Sequence, residues 1–294
     1  MNCAAGTRLL RDDRVARRLG LIALGAILLA PVARGQRHDA GQGILLRIHP
    51  RVGDTLHTRL EQQTEVSAVM TGANGPTTKS VTTSVALNSR TIVQTSLAAS
   101  TVVLTVVDSA DIRTTDAHGA AQVAEAERRL RGQQLVLQLA ADGAVESARD
   151  LRGATVSRDM AEAMSAMPAI FPLRAVNVGE QWTREMPLPA GGPLGTRGSG
   201  HVNATFRLDS LDRSGNFAFV SMHGEILPDG ENQGVQLSGA VTGAMQVNRV
   251  RGWMTESRFT VLIRSLVTPA PSSGIAPMRF VTRVTQRLRT MDKR

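Results

Sequence analysis

The 294-residue chain has one cysteine, no tyrosine, two tryptophans and six phenylalanines. The cysteine, Cys3, lies upstream of an apolar run near the amino terminus. The body of the chain therefore carries no disulfide, no thiolate zinc site and no cysteine nucleophile. Aromatic residues make up 3% of the chain and the arginines are scattered. Stacking on bases needs aromatics beside clustered cations, so nucleic acid is not an expected partner. Lys79 and Lys293 are the only lysines, and nearly all positive charge is arginine. Catalytic signatures are missing too: no Gly-x-Ser-x-Gly, His-Glu-x-x-His, Walker loop or Ser-x-x-Lys occurs.

The amino terminus reads as an export signal. A basic stretch ending at Arg17-Arg18 precedes an apolar run from Leu19 to Val32, with Ala33 and Gly35 at the small-residue positions of a cleavage site. The run falls short of the roughly 20 residues that span a bilayer. Cleavage after Gly35 is expected, leaving Gln36 first and placing the protein in the periplasm or outside the cell, with no transmembrane span. The twin arginines leave the export route open. Cleavage removes six arginines and two aspartates, so 28 basic and 23 acidic residues remain, a balance of +5. The remaining 259 residues are enough to bury roughly three quarters of the unfolded surface without disulfides.

Residues 36–50 read as a loose leader, and 51–294 as a single β-rich domain. "VTTSVAL" (81–87) alternates, and "TVVLTVV" (101–107) is apolar on both faces, as in a buried strand. "HGAAQVAEAERRLRG" (118–132) reads as a helix with arginines in its last turn and Gly132 as its stop. A hairpin follows over 134–148, turning at Asp142-Gly143. A Met-rich helix is expected over 156–168, between a first β-run (51–150) and a second (177–291).

In the second run, 235–247 alternates strictly, with Gly239 and Gly243 on its apolar face. Glycines there let a sheet bend or another element approach. "RVGDTLHTRL" at Arg51 and "NVGEQWTREM" at Asn177 open the two runs with nearly the same phrase. Duplication and a shared turn explain that equally well. The expected fold is mainly β (α+β): a curved antiparallel sheet or half-barrel around the Met-rich helix, with one further short helix.

Three features are candidate binding elements. Met160, Met164 and Met167 recur at helical spacing and adapt to irregular apolar partners. Trp182 and Trp253 are placed to shape a pocket mouth, although large aromatics at strand starts more often pack. On the last strand Arg279, Arg283 and Arg287 share a face suited to anionic lipid headgroups. A solvated face that discourages edge pairing is the plainer reading. The histidines stand apart from one another and from carboxylates at ligand spacing. No catalytic residue, metal ligand or cofactor site is expected.

"LRGQQLVLQLAADGAVESA", an amphipathic helix and "FPLRAVNVGEQW" together resemble a group of exported bacterial β-rich proteins whose molecular role is unknown. The layout is also similar to the half-barrel of periplasmic lipoprotein carriers, a likeness of fold only. The resulting expectation is a non-catalytic envelope protein holding a lipid or other apolar ligand between sheet and helix. A structural protein with a self-filled core and an envelope partner, or a hydrolase of a new kind, are the alternatives.

Overall fold

The computed structural model describes residues 43–72, 75–151, 169–188, 200–229, 235–268 and 276–291. The export signal with Gly35 and Gln36, the Met-rich segment 156–168 and the Gly/Pro-rich stretch 189–199 lie outside the described residues. Eleven strands form one antiparallel sheet. The first run is β1 (Thr55–Gly72), β2 (Gly75–Ser96), β3 (Ser100–Thr114), β4 (Gln134–Ala140) and β5 (Val145–Asp150). The second is β6 (Gln181–Pro187), β7 (Gly200–Leu211), β8 (Phe217–Pro228), β9 (Val235–Asn248), β10 (Trp253–Val267) and β11 (Met278–Met291). The lateral order is β5-β4-β3-β2-β1-β11-β10-β9-β8-β7-β6, so the first and last strands meet at the centre. The sheet is curved and open, not a closed barrel.

Curvature follows from which residues share a core. One cluster joins Val93, Val103, Leu139 and Val145 of the first run to Phe206, Leu208, Val220 and Val247 of the second. These strands stand far apart in the lateral order, so their side chains meet only if the sheet curls over itself. Two extended segments fill the fold: Ile44, Leu46 and Ile48 from one, Ile170, Phe171 and Val176 from the other. They bridge each other between Ile44 and Val176. Backbone bonds also tie them to the sheet, Ile48 N–H to the Ala141 carbonyl and Phe171 N–H to the Asp142 carbonyl.

The reading of 36–50 as a loose leader is therefore corrected for 43–50. Leu46 is only 1% exposed. Along "GILLRIHP" burial alternates as in a strand: Ile44, Leu46, Ile48 and Pro50 are buried, while Leu45 and Arg47 are exposed.

The one α-helix among the described residues, α1 (Ala120–Leu130), matches the sequence expectation. Val123, Ala126 and Leu130, spaced for one helical face, cover Leu60, Val85, Leu87, Ala110 and Ile112. Strand β4 pairs with β3 only over Ser100–Val106. The later backbone of β3 needs another partner, and Glu127 on α1 supplies one by accepting the Ile112 N–H at 2.7 Å. Gly132, at φ 72°, then turns the chain back toward the sheet.

The repeated phrase encodes a repeated turn. Asp54 N–H donates to the Arg51 carbonyl and Glu180 N–H to the Asn177 carbonyl, each closing a four-residue turn. Gly53 and Gly179 occupy the third position at the same φ of 87°. Gly53 N–H and the Asp54 carbonyl both bond Val93, while Gly179 N–H and the Glu180 carbonyl both bond Leu208. One local device thus starts each run and pins it to the neighbouring strand.

In the second copy the Asn177 backbone N–H, then Arg174, hold the Glu180 carboxyl below its ordinary range. A depressed carboxylate stabilises the fold above its unfolded pKa. That contribution is lost as pH falls through the lower folded value. Nothing lies within 4 Å of the position a Cβ would take at Gly53 or Gly179, so an alanine there costs backbone strain alone. Gly53→Ala and Gly179→Ala are each expected to destabilise by about 1–2 kcal/mol, the cost of a left-handed L-residue. Asparagine at either site is expected to cost less. Urea denaturation of the three forms checks this, and equal midpoints for alanine and glycine would refute it.

Candidate ligand-binding site

Register and burial together define an inner face. At its centre Val85, Gln62, Gln286, Phe259, Gly243, Met222, Phe206 and Trp182 form one row across eight strands. On β9 the sequence alternation holds: Leu237, Val241, Met245 and Val247 point inward and are buried. Gly239 is required by close approach. A side chain there would collide with the Leu262 carbonyl oxygen and come within 2.8 Å of Ile226 Cδ1. The inward residues of β10 differ from those of β9. Phe259, Val261 and Ile263 pack against the core but stay only partly buried. The inner face thus keeps an incompletely covered apolar strip along β10.

Two amides lie beside this strip. Gln286 is 1% exposed and stands opposite Gln62 in register. Gln62 donates from Nε2 to Thr64 Oγ1 at 3.2 Å. Gln62 Oε1 and both amide atoms of Gln286 are buried without a hydrogen-bond partner among protein groups. Together they leave one donor group and two acceptors unsatisfied within the protein, a cost to stability rather than a surface open to solvent.

Both aromatic candidates pack against the core, Trp182 buried and Trp253 partly so. Trp182 is 8% exposed, stacks on Phe206 with centroids 5.7 Å apart, and donates its indole N–H to the Ile170 carbonyl at 2.8 Å. It anchors the 169–176 segment to β6, which corrects its assignment to a pocket mouth. An indole that is fully bonded and stacked offers a ligand no face. Trp253 is half-buried against the same core at the start of β10. Met160, Met164 and Met167 lie outside the described residues.

Among the arginines, Arg279 and Arg283 are exposed and form no ion pair within the described residues. Arg287 differs: two of its guanidinium nitrogens bond Glu256, which also takes Arg258 and Arg289. Nε and Nη2 of Arg287 are thus held within the protein, on a glutamate shared by three arginines.

The outer side also bears a cleft of about 490 Å³ across β3, β2, β1 and β11. Ser84 and Ala86 give it room, and Glu61, Asp111, Arg113 and Arg287 supply its charges. Those charges already have partners: Arg113 with Asp111, Arg59 with Glu61, Arg287 with Glu256. Titratable groups elsewhere form separate pairs. His201 bonds Asp229 at 2.6 Å, a carboxylate contact that sequence spacing did not indicate, and His49 faces Ser96 at 3.3 Å. Among the described residues, no three His, Cys, Asp or Glu side chains are grouped to hold a metal.

No family model and no curated protein sequence matches the chain. Among solved structures it is similar to lipovitellin, from a structure of lipid–protein interactions in that protein. Identity is 8% and the TM-score 0.47, with 82% of this chain and 25% of that one covered. A domain from Vibrio parahaemolyticus named for outer membrane lipoprotein sorting is similar at 8% identity and a TM-score of 0.18, covering 79% and 83%. An outer membrane channel from Pseudomonas putida is similar at 13% identity and 0.21, covering 87% and 100%. The chain spans only a quarter of lipovitellin's length, and at such scores the likenesses carry no argument about function.

Sequence reading missed the glutamines, yet a signal was present. In "TRLEQQTEV", Leu60, Gln62, Thr64 and Val66 keep one alternation, which places Gln62 on the buried side. A buried polar group left without a partner costs about 1–3 kcal/mol. Gln286→Leu is therefore expected to raise stability by about 1 kcal/mol in ligand-free protein. A urea midpoint that falls instead would show that the amide is satisfied in solution.

Proposed function

We propose that this protein is a non-catalytic binding protein of the cell envelope that holds a lipid or other apolar ligand against the inner face of its sheet. The observation that carries the reading is the strip Phe259, Val261 and Ile263. It is apolar, inward-facing and left partly uncovered, although its β9 neighbours Leu237, Val241 and Met245 are buried. Acyl chains gain about 0.8 kcal/mol per CH2 group buried, so a short uncovered strip is enough to select them. The glycine at 239 keeps this wall closely spaced and side-chain-poor. Export by the amino-terminal signal is consistent with an envelope ligand, and no described helix is long and apolar enough to cross a membrane.

A second reading, a structural protein filled by its own segments, is favoured by the burial of Leu46, Phe171 and Val176 within the curl. Native mass spectrometry of protein purified from its own envelope separates the two. Co-purifying lipid supports binding. Bare protein from which lipids displace no apolar dye supports the self-filled core. Under the binding reading, Ile263→Glu places a charge on the strip and is expected to weaken lipid competition against the dye at least tenfold. Thr260→Glu, on the outward side of the same strand, should leave it unchanged.

A further inference from the structure

We infer that the outer face of β10 and β11 is a docking surface for a bilayer bearing anionic headgroups. Three arginines and three aliphatic side chains alternate there as a checkerboard. Leu262, Arg264 and Leu266 point outward from β10, directly opposite Arg283, Val281 and Arg279 of β11. Each cross-strand pair is thus one cation and one aliphatic residue, with side chains about 5 Å apart. Val69 of β1 extends the apolar set beside Arg279. All three arginines are exposed, Val281 is 40% exposed, and the leucines are partly so.

Charge distinguishes this patch from the other arginines of β1, β2, β3, β7, β10 and β11. Further along the same strands Arg258, Arg287 and Arg289 gather on Glu256, and Arg59, Arg90, Arg113 and Arg207 each hold a carboxylate. Arg264, Arg279 and Arg283 hold none within the described residues. The single acidic neighbour, Glu65, lies opposite Arg283 and accepts a bond from Gln63 instead. Three guanidinium groups on adjoining rows, none of them ion-paired among the described residues, repel one another and are stabilised by an anionic surface.

The interleaved aliphatics decide what kind of surface. A soluble polyanion repays only the charge, whereas a bilayer takes the arginines at its headgroups and the leucines and valine at its acyl boundary. This surface lies on the opposite side of the sheet from the inner strip and stands independently of the ligand-binding reading. It extends the sequence expectation for Arg279 and Arg283 to Arg264.

Sedimentation of the purified chain with vesicles of phosphatidylcholine, with and without phosphatidylglycerol, tests the inference. Binding is expected only with phosphatidylglycerol and should weaken as salt rises. The triple variant R264Q/R279Q/R283Q is expected to bind at least tenfold more weakly. A control, R59Q/R113Q/R128Q, removes the same charge elsewhere and should retain binding. L262S/L266S keeps every charge and should also weaken it. Circular dichroism confirms that each variant is folded. Absence of binding by the parent chain, equal loss in the control, or full binding by L262S/L266S would overturn the assignment. The dye-displacement readout of the inner face should not move in any of the three variants, which keeps the two proposals separable.

Discussion

The backbone ladder between β1 and β11 runs from His57 opposite Met291 to Met70 opposite Met278, and the rest of the architecture hangs on it. Within each run, lateral neighbours are strands consecutive in the chain, with α1 lying between β3 and β4. Only this ladder joins the two runs into one sheet, and it does so between strands that begin and end the domain. Closing so long a loop has an entropic cost that grows slowly with length but is met before any contact forms. Long-range strand pairing of this kind is also slow. The ladder is long enough, at fourteen residue pairs, to repay it with backbone bonds and cross-strand contacts.

Once the two runs are joined, the sheet has one apolar face too wide to leave in water. Curling brings the outer strands of both runs toward a common core, but a curled open sheet leaves a gap. Segments 43–50 and 169–176 occupy it with Leu46, Ile170 and Phe171, and Trp182 fixes the second segment through its indole. Filling is uneven. At the β7–β9 side Phe206, Leu208 and Val220 are completely enclosed, while β10 keeps its aliphatic strip partly open and three amide atoms of Gln62 and Gln286 lack partners. A core built only for stability would close that strip and replace the amides with hydrocarbon.

The two sides of the same strands thus carry different chemistry. Alternation sends Val261 and Ile263 inward and Leu262 and Arg264 outward, so one short segment of β10 contributes to both the apolar hollow and the cationic face. The two proposed contacts, a membrane outside and an apolar ligand inside, would lie within one strand's thickness of each other.

Local sequence determined a large part of this protein: strand alternation, α1, the Asp142-Gly143 hairpin and the twin turns at Gly53 and Gly179. Each depends on residues close in the chain, through periodicity of two or 3.6 and through the glycine that a left-handed turn demands. The burial of 43–50, the packing role of Trp182, the pairing of Gln62 with Gln286 and the isolation of Arg264 were decided only by tertiary structure. Each of these depends on what a residue faces across a strand pair or across the curl. Such a neighbour is set by register between distant segments, which no local pattern contains.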